Sequence, residues 1–378
     1  MTKSKKILIA IPNLYGGTGT FCKNLVLGLK KKYKSKYHIS LICFDSQGFT
    51  QDDYNLFDYL IIIGKRCNKD LRRFYEFPYY YYKIGKEIKK INPEIVFSIG
   101  TYMNVLMSLL LPKDIKIILS EHDVPSIRTN LSHYGKIINH FIKRIYYDKI
   151  CIGVSKGVLN DLSENYKLKR LRLIYYGIDI ELVQKLSLSE NTSDIPNFPY
   201  IVSVGRLNVQ KDFRTLIYAY NYAMKKGLDI DLVIIGDGEE ELKLRELIKN
   251  LSLVKRIHLL GYKKNPYPYI RNAKIFILSS IWEGFPYVLL ESMALRVPII
   301  STNCKSGPAE LLNYGEYGEL VNVGNIEELG EAMYSLYYNK ERLKMLSLKL
   351  IERSKFFSLD RMISEYDQLF EEVNNENR

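Results

Sequence analysis

Two successive α/β domains, each built on a parallel sheet, are predicted from three observations. Short apolar segments alternate with stretches of helical spacing along the whole chain. The short segments are continuous apolar runs, which marks strands covered by helices on both faces. The pattern stops at a polar stretch, 187–199, and then begins again. At 378 residues the chain also exceeds what one core usually organises.

The elements follow in order. KKILIAIP is the first strand, Gly16-Gly17-Thr18-Gly19 reads as a turn, and FCKNLVLGLKK carries Phe21, Leu25 and Leu29 at helical spacing. HISLICF and YLIIIG are the next strands. The charged, tyrosine-rich LRRFYEFPYYYYKIGKEIKK is helical and leads to the strand EIVFSIG. A helix at 103–110, the strand IKIILSEH, a helix at 134–147 and the runs KICIGVS and LRLIYYGI close the first half. After the linker come YIVSVGR, a helix at 212–226, DLVIIGDG, a helix at 239–250 and RIHLLGY. A short helix at 266–272, AKIFILSS, a helix from 286, VPIISTN and ELVNVGN complete the second pattern, and helices at 326–337, 340–352 and 359–373 end the chain. Ligand-binding loops are expected beyond the carboxyl ends of the strands, and two such domains facing each other would form a cleft.

Composition narrows the class. Apolar residues make up 47% and charged residues 26%, which fits an ordered globular protein. No window of 18 apolar residues exists, and the apolar start at 7–12 is too short for a signal peptide. The five cysteines, Cys22, Cys43, Cys67, Cys151 and Cys304, include no CxxC pair and suit buried thiols in a reducing compartment. The net charge of +13 is uneven: residues 1–190 hold 31 Lys/Arg against 17 Asp/Glu, and 191–378 hold 24 against 25. With 31 tyrosines, such a balance suggests a nucleic-acid-binding module, but no nucleic-acid motif or repeating basic–aromatic pattern accompanies it.

Several constellations carry chemistry. Gly16-Gly17, between a strand and a helix, allows close approach to backbone and to helix N–H groups, although a tight βα turn explains it equally. It is neither a GxGxxG nor a P-loop. His122, between Glu121 and Asp123, ends a strand, where it serves either a substrate or the loop itself. Arg206 and Lys211 follow Gly205 just past a strand, and two fixed cations there suit a diphosphate. Gly236-Asp237-Gly238 reads as a structural turn, and Asp229-Ile230-Asp231 lies at a strand's amino end, the wrong edge for a metal motif. The most informative stretch is SSIWEGFPYVLLESMALRVPIISTNCKSGPAELL. It puts Glu283 in a loop and Glu291 about one turn into a helix, where carboxylates accept hydrogen bonds from vicinal hydroxyls. A hydrolase's acid/base pair is the competing reading of the two carboxylates. Lys305-Ser306-Gly307-Pro308 opens another glycine-containing loop after a strand.

Glu283…Glu291 within EGFPYVLLESMA, with Gly205-Arg206-Leu207…Lys211 and the early Gly16-Gly17, resembles the retaining glycosyltransferases of family 4 over nearly the full length. CKSGPAELL is most similar to bacterial members acting on surface polysaccharide, such as capsule or lipopolysaccharide, or on lipid-linked oligosaccharide precursors. The resemblance implies the α/β GT-B fold, two facing Rossmann-like domains with an inter-domain cleft. Its expected parts are an acceptor-side domain at 1–186, a linker at 187–199, a nucleotide-sugar-binding domain at 200–358, and a helix at 359–378 packing back toward the first domain. It implies transfer of a hexose or N-acetylhexosamine from a nucleotide-diphosphate sugar, a UDP-sugar by preference, with retention. The acceptor is a glycan or a polyprenyl-diphosphate-linked saccharide, and no metal or other cofactor is used.

By the same resemblance, Gly16 and Gly17 lie near donor diphosphate and acceptor, and His122 contacts the transferred sugar. Arg206 and Lys211 neutralise the leaving diphosphate, and Glu283 contacts sugar hydroxyls. Phe285 and Pro286 turn backbone N–H groups to the sugar, Glu291 binds the ribose, and Gly261 and Tyr262 lie near the base. Two positions depart from the family pattern: Tyr176, where Asn is frequent before Gly177, and Thr18-Gly19-Thr20 in the first loop. No carboxylate nucleophile is evident in the first domain's loops, so a same-face reaction assisted by the leaving phosphate fits better than a covalent intermediate. Other readings are a different GT-B enzyme, such as a nucleotide-sugar epimerase or a glycogen-type synthase. The basic, aromatic stretches 71–90 and 136–149 suggest attachment to an anionic membrane surface, the cytoplasmic face of an inner membrane.

Overall fold

In the computed structural model of the protein, residues 4–64, 77–112, 114–130, 133–188 and 194–375 are described. Cys67, residues 71–76 of the basic stretch and 189–193 of the expected linker lie outside them.

The chain divides into two units, one of residues 1–177 with 359–378 and one of 178–358. The first holds a seven-stranded sheet in the order β3-β2-β1-β4-β5-β6-β7. Its strands are β1 (Lys5–Ile11), β2 (Tyr37–Cys43), β3 (Tyr59–Ile62), β4 (Ile95–Ile99), β5 (Lys116–Glu121), β6 (Ile150–Gly153) and β7 (Leu171–Leu173). The second holds six strands in the order β10-β9-β8-β11-β12-β13. These are β8 (Tyr200–Val204), β9 (Asp231–Ile235), β10 (Ile257–Leu259), β11 (Phe276–Leu278), β12 (Ile299–Thr302) and β13 (Glu319–Val321). Every pairing is parallel. Burial explains why the strands read as unbroken apolar runs: β4 and β12 are buried at every position. Both orders reverse direction beside the first strand, between β1 and β4 and between β8 and β11. Open α/β sheets bind their ligands at such points, outside the carboxyl ends.

Three features differ from the sequence reading. The helix Gly16–Tyr33 begins at the first glycine, so the glycine run forms its opening turn rather than a turn before it. The reason is contact: a Cβ on Gly19 would fall 2.0 Å from the Leu14 carbonyl oxygen, so the helix start can lie against the strand's exit only with glycine there. Short helices also occur at Pro125–Asn130, Lys156–Tyr166 and Ile180–Leu186, where no element was read. The last of these packs with the helices Tyr267–Asn272 and Tyr287–Ala294, and Gln184 Nε2 donates to the Ala294 carbonyl at 2.9 Å. The first unit therefore ends at Gly177, and 178–186 belong with the second.

The last helix, Leu359–Asn375, completes the first unit. Residues 1–177 hold 30 Lys/Arg against 14 Asp/Glu, whereas 359–378 hold 2 against 6. The acidic helix answers that excess: Asp360 pairs with Lys32 at 2.7 Å, Asp367 with Lys36 at 2.5 Å, and Glu372 with Arg172 at 2.9 Å. Glu371 pairs with both Lys5 and Lys36. Lys116 Nζ caps the helix end, donating to the carbonyls of Val373 and Asn374 at 2.9 and 2.8 Å. The opposite face buries Met362, Ile363, Tyr366, Leu369, Phe370 and Val373.

Candidate functional site

In the second unit the switch point is built from the loops that leave β8 and β11. Gly205 follows β8 directly and lies against the Lys211 side chain, 3.4 Å from where a Cβ would stand. Gly236, φ +145, leaves no room for a Cβ, which would sit 1.9 Å from the Gly205 carbonyl oxygen. This pair of glycines lets the two loops run side by side. Lys211 is held at three points. Its N–H donates to Asn208 Oδ1 at 3.1 Å, its carbonyl accepts from Ser279 Oγ at 2.7 Å, and its Nζ lies 2.5 Å from Glu283 Oε1.

Glu283 is fixed just as fully. Its N–H donates to the Lys305 carbonyl at 2.9 Å and its own carbonyl accepts from Ser306 N–H at 2.7 Å. Ser280 Oγ donates to Oε1 at 2.6 Å, so both of these side-chain contacts fall on one carboxylate oxygen. The loop that holds Lys305 and Ser306 thus serves as a backbone brace for Glu283. The Lys211–Glu283 pair is largely withdrawn from water, at 17% and 8% side-chain exposure. A charge pair in such a place interacts more strongly than one on the surface.

Arg206 is separate from this pair. It is exposed and meets Glu239 at 3.0 Å. Glu291, on the helix Tyr287–Ala294, is buried and accepts from Tyr267 Oη at 3.2 Å. Burial pushes its carboxyl up to about 7, the Tyr267 hydrogen bond offsetting part of the rise. Pro286 precedes the helix and has no N–H, so the expected pair of backbone donors at Phe285 and Pro286 is corrected: only Phe285 has one. Gly261, φ +67, accepts Gly236 N–H through its carbonyl at 2.9 Å, and Tyr262 beside it is 60% exposed. Asp229 and Asp231 are engaged by Arg256 at 2.8 and 3.0 Å, and Asp231 also by His258 at 2.7 Å.

The first unit places its own group at the carboxyl ends of β1 and β5. Gly16 and Gly17 are exposed at the start of their helix. His122 follows β5 with both ring nitrogens occupied: Nε2 lies 2.8 Å from Ser120 Oγ and Nδ1 2.5 Å from Tyr176 Oη. Phe21 packs on the imidazole at 4.8 Å between centroids and stacks with Tyr176 at 5.1 Å. This apolar burial presses the imidazolium down to about 3, so His122 is neutral near pH 7. Glu121 does not flank the imidazole. Successive strand residues face opposite sides, and Glu121 turns into a buried network with Thr101, Asn104 and Tyr146 at 2.7, 2.9 and 2.6 Å. Burial raises its carboxyl to about 7 despite these donors. Asp123 meets Arg128 at 3.6 Å. Tyr176, marked in the sequence only as a departure from a pattern, is thus the side chain that meets His122.

Two family models together span most of the chain. Residues 15–182 match the model described as "Glycosyltransferase Family 4", and residues 188–352 match "Glycosyl transferases group 1". A glycosyltransferase of Methanocaldococcus jannaschii is 30% identical over 333 residues, covering 77% of this chain and 82% of its own. The chain belongs to glycosyltransferase family 4. It is an enzyme that moves a sugar from a nucleotide-sugar donor to an acceptor. A second relative of this glycosyltransferase comes from Campylobacter jejuni. It is named N-acetylgalactosamine-N,N'-diacetylbacillosaminyl-diphospho-undecaprenol 4-alpha-N-acetylgalactosaminyltransferase and is 29% identical over 300 residues, 78% of this chain and 80% of that one. Anabaena HepE, solved with UDP and glucose, shares the fold at a TM-score of 0.77 and 16% identity, over 97% of this chain and 100% of that one. The sucrose-phosphate synthase of Thermosynechococcus elongatus superposes at 0.83 with 17% identity, over 98% and 99%. The fold is GT-B, with two Rossmann-like units. Among the described residues, no helix of this glycosyltransferase is long and apolar enough to cross a membrane, and no three His, Cys, Asp or Glu side chains gather as a metal site.

Proposed function

We propose that this glycosyltransferase moves a hexose or N-acetylhexosamine from a UDP-sugar, with retention, onto a polyprenyl-diphosphate-linked saccharide or related glycan. The observation that carries the reading is the Lys211–Glu283 pair at the β8/β11 switch point, a cation and a carboxylate fixed side by side. As the glycosidic bond breaks, negative charge grows on the leaving diphosphate. The Lys211 ammonium and the exposed Arg206 guanidinium neutralise it, and a fixed cation needs no reorganisation at that moment. The Glu283 carboxylate accepts from hydroxyls of the donor sugar, while the N–H of Phe285 and the amino end of the helix Tyr287–Ala294 face the same sugar. Glu291 takes the ribose, and Gly261 and Tyr262 adjoin the base. Gly16 and Gly17 lie by the diphosphate and acceptor, and neutral His122 contacts the transferred sugar. The leaving phosphate assists attack on the same face, and the reaction runs without a metal. The undecaprenol-linked saccharide in the Campylobacter relative's name and the UDP bound to HepE support acceptor and donor classes.

The test is release of UDP or GDP from a donor panel with lipid-linked saccharide acceptors, with and without EDTA. Release from a UDP-sugar that needs the acceptor and survives EDTA is expected; release from none of the donors overturns the reading.

Glu291 gives a pH prediction. Ribose hydroxyls donate to the carboxylate, so binding favours the charged form of a group whose free pKa is about 7. Nucleotide affinity should therefore rise about tenfold between pH 6 and pH 8 and level off above. Titration calorimetry of UDP at the two pH values reads it, and Glu291→Gln should flatten the profile. Folding runs the other way: a carboxyl raised in the folded state adds stability at low pH, which is lost as pH rises from the ordinary Glu range through about 7.

Tyr176 is assigned as a positioning residue for His122. Tyr176→Phe keeps the ring on Phe21 and removes only the hydroxyl at Nδ1. We expect kcat to fall about tenfold with donor KM within twofold. The ¹⁵N signature of the His122 tautomer should change as well; an unaltered tautomer with unaltered kcat would leave Tyr176 a packing residue only.

The helix Phe77–Ile91 exposes Tyr79, Tyr81 and Tyr82 near Lys86 and Lys89, and the helix His133–Tyr146 exposes Ile137 and Phe141 near Lys136, Lys143 and Arg144. Apolar tips among cations suit the surface of an anionic bilayer, where each basic residue contributes about 1 kcal/mol. This supports peripheral attachment to an anionic membrane surface, which we place on the cytoplasmic face; no nucleic acid is proposed as a partner.

A further inference from the structure

The edge of the second sheet opposite Lys211 and Glu283 carries a cavity of about 620 Å³. It opens where β11 and β12 begin, away from the carboxyl ends used by the sugar-transfer reading. Arg271, Lys274, Arg296 and Lys344 line it, and no Asp or Glu does. The four cations arrive from three places: the end of the helix Tyr267–Asn272 and the turn after it, the turn between the helix Tyr287–Ala294 and β12, and the helix Lys340–Phe356. All four are exposed, and among the described residues none pairs with a carboxylate, whereas Arg342 on the same helix as Lys344 meets Glu319 at 3.0 Å. The arrangement does not follow from composition, since residues 178–358 hold 23 Lys/Arg against 22 Asp/Glu.

Local structure explains only part of the cluster. Cations are favoured at helix carboxyl ends, which accounts for Arg271 and Arg296. Lys274 lies beyond its helix, and Lys344 sits in the first turns of the helix Lys340–Phe356, close to the end where the macrodipole disfavours it. Arg296 also occupies a left-handed backbone position, φ +59, directly after a helix end where glycine is preferred. A side chain is therefore kept at a place that favours none. Gln184, Ser347 and the buried Leu295, Val297 and Pro298 also belong to the lining, and no side chain there carries a negative charge. Like charges gathered in this way repel one another unless an anion joins them.

We propose that this cavity is a binding site for a phosphate-bearing ligand, separate from the site of sugar transfer. Planar guanidinium forks from Arg271 and Arg296 match phosphate oxygens, with Lys274 and Lys344 as point charges. The same chemistry is offered by a free phosphate compound and by a phospholipid headgroup.

The experiment uses the full chain and the variants Lys274→Glu/Lys344→Glu and Lys274→Gln/Lys344→Gln, the second as the milder change should the first misfold. Inorganic phosphate is titrated by calorimetry, and vesicles containing phosphatidylglycerol are tested by cosedimentation. The expected result is at least a tenfold loss of affinity in the variants for one of the two probes. Loss for inorganic phosphate assigns a free phosphate ligand, and loss for vesicles assigns the headgroup. Sugar transfer to a soluble acceptor should stay within twofold of the parent, which keeps this outcome apart from any failure of the transfer reading. Unchanged binding of both probes, or no binding of either by the parent chain, overturns the proposal.

Discussion

Replacing Glu283 by Gln is expected to lower transfer by about 10²- to 10³-fold, the scale on which one preorganised electrostatic contact to a transition state acts. The change keeps the shape of the side chain, the Ser280 contact and the backbone hydrogen bonds to Lys305 and Ser306. It removes the charge opposite Lys211, whose side chain is only 17% exposed. Breaking a buried pair from one side costs up to about 3–5 kcal/mol because the surviving charge has no partner. A loss of activity in the single variant therefore has two sources, a site without its carboxylate and a loop loosened by an orphaned ammonium. The double variant Lys211→Met/Glu283→Gln separates them. Without either charge the local cost is largely removed, so Tm should recover toward that of the parent in a thermal melt. Transfer should stay lost in the double variant, because neither the leaving group nor the sugar hydroxyls has its partner. Recovery of transfer together with Tm would show that the pair serves only the fold, and would end its role in the mechanism.

Lys211 and Glu283 were each legible as site residues, though not as each other's partner, because both belong to strand exits. Apolar runs without alternation identify parallel strands, and in such sheets the residues just beyond a run lie on the ligand edge. Lys211 and Glu283 each follow a run, and the reversal of strand order between β8 and β11 brings them together. What escaped the sequence depends on contacts made only in the folded chain. Tyr176 meets His122 across 54 positions, and nothing in either local pattern announces it. Gly19 is required by the Leu14 carbonyl beside it, a contact that exists only once the helix starts against the strand. Glu121 is different, because period-two alternation along β5 already sends it to the face opposite His122. The basic first half also changes meaning, since part of its charge is met by the acidic last helix rather than by any ligand.

That last helix yields the second large effect, on stability. Phe370→Ala is expected to destabilise the first unit by about 3–5 kcal/mol, the range for deleting a large aromatic side chain from a core. Phe370 is fully buried, with ring centroids 5.8 Å from Phe97, 6.0 Å from Tyr37 and 6.0 Å from Tyr366. The ion pairs on the helix's other side weigh far less one by one. Asp360 is 77% exposed in its pair with Lys32, and Asp360→Asn should cost less than about 0.5 kcal/mol. Thermal melts of the two variants decide the ranking, and an Asp360→Asn effect equal to that of Phe370→Ala would mean that charge, not packing, holds the helix. Acid supplies an independent check on the charged side. Burial raises the Glu371 carboxyl, but hydrogen bonds from Lys5 and Lys36 outweigh it and hold the pKa below the usual Glu range. Its contribution to stability is therefore present above that range and is lost as pH falls through the lowered value. A chain ending at Ser358 loses packing and pairing together. Its first unit, left with Phe21 and Phe97 uncovered by Tyr366, should melt far below the second in calorimetry and be digested first by protease.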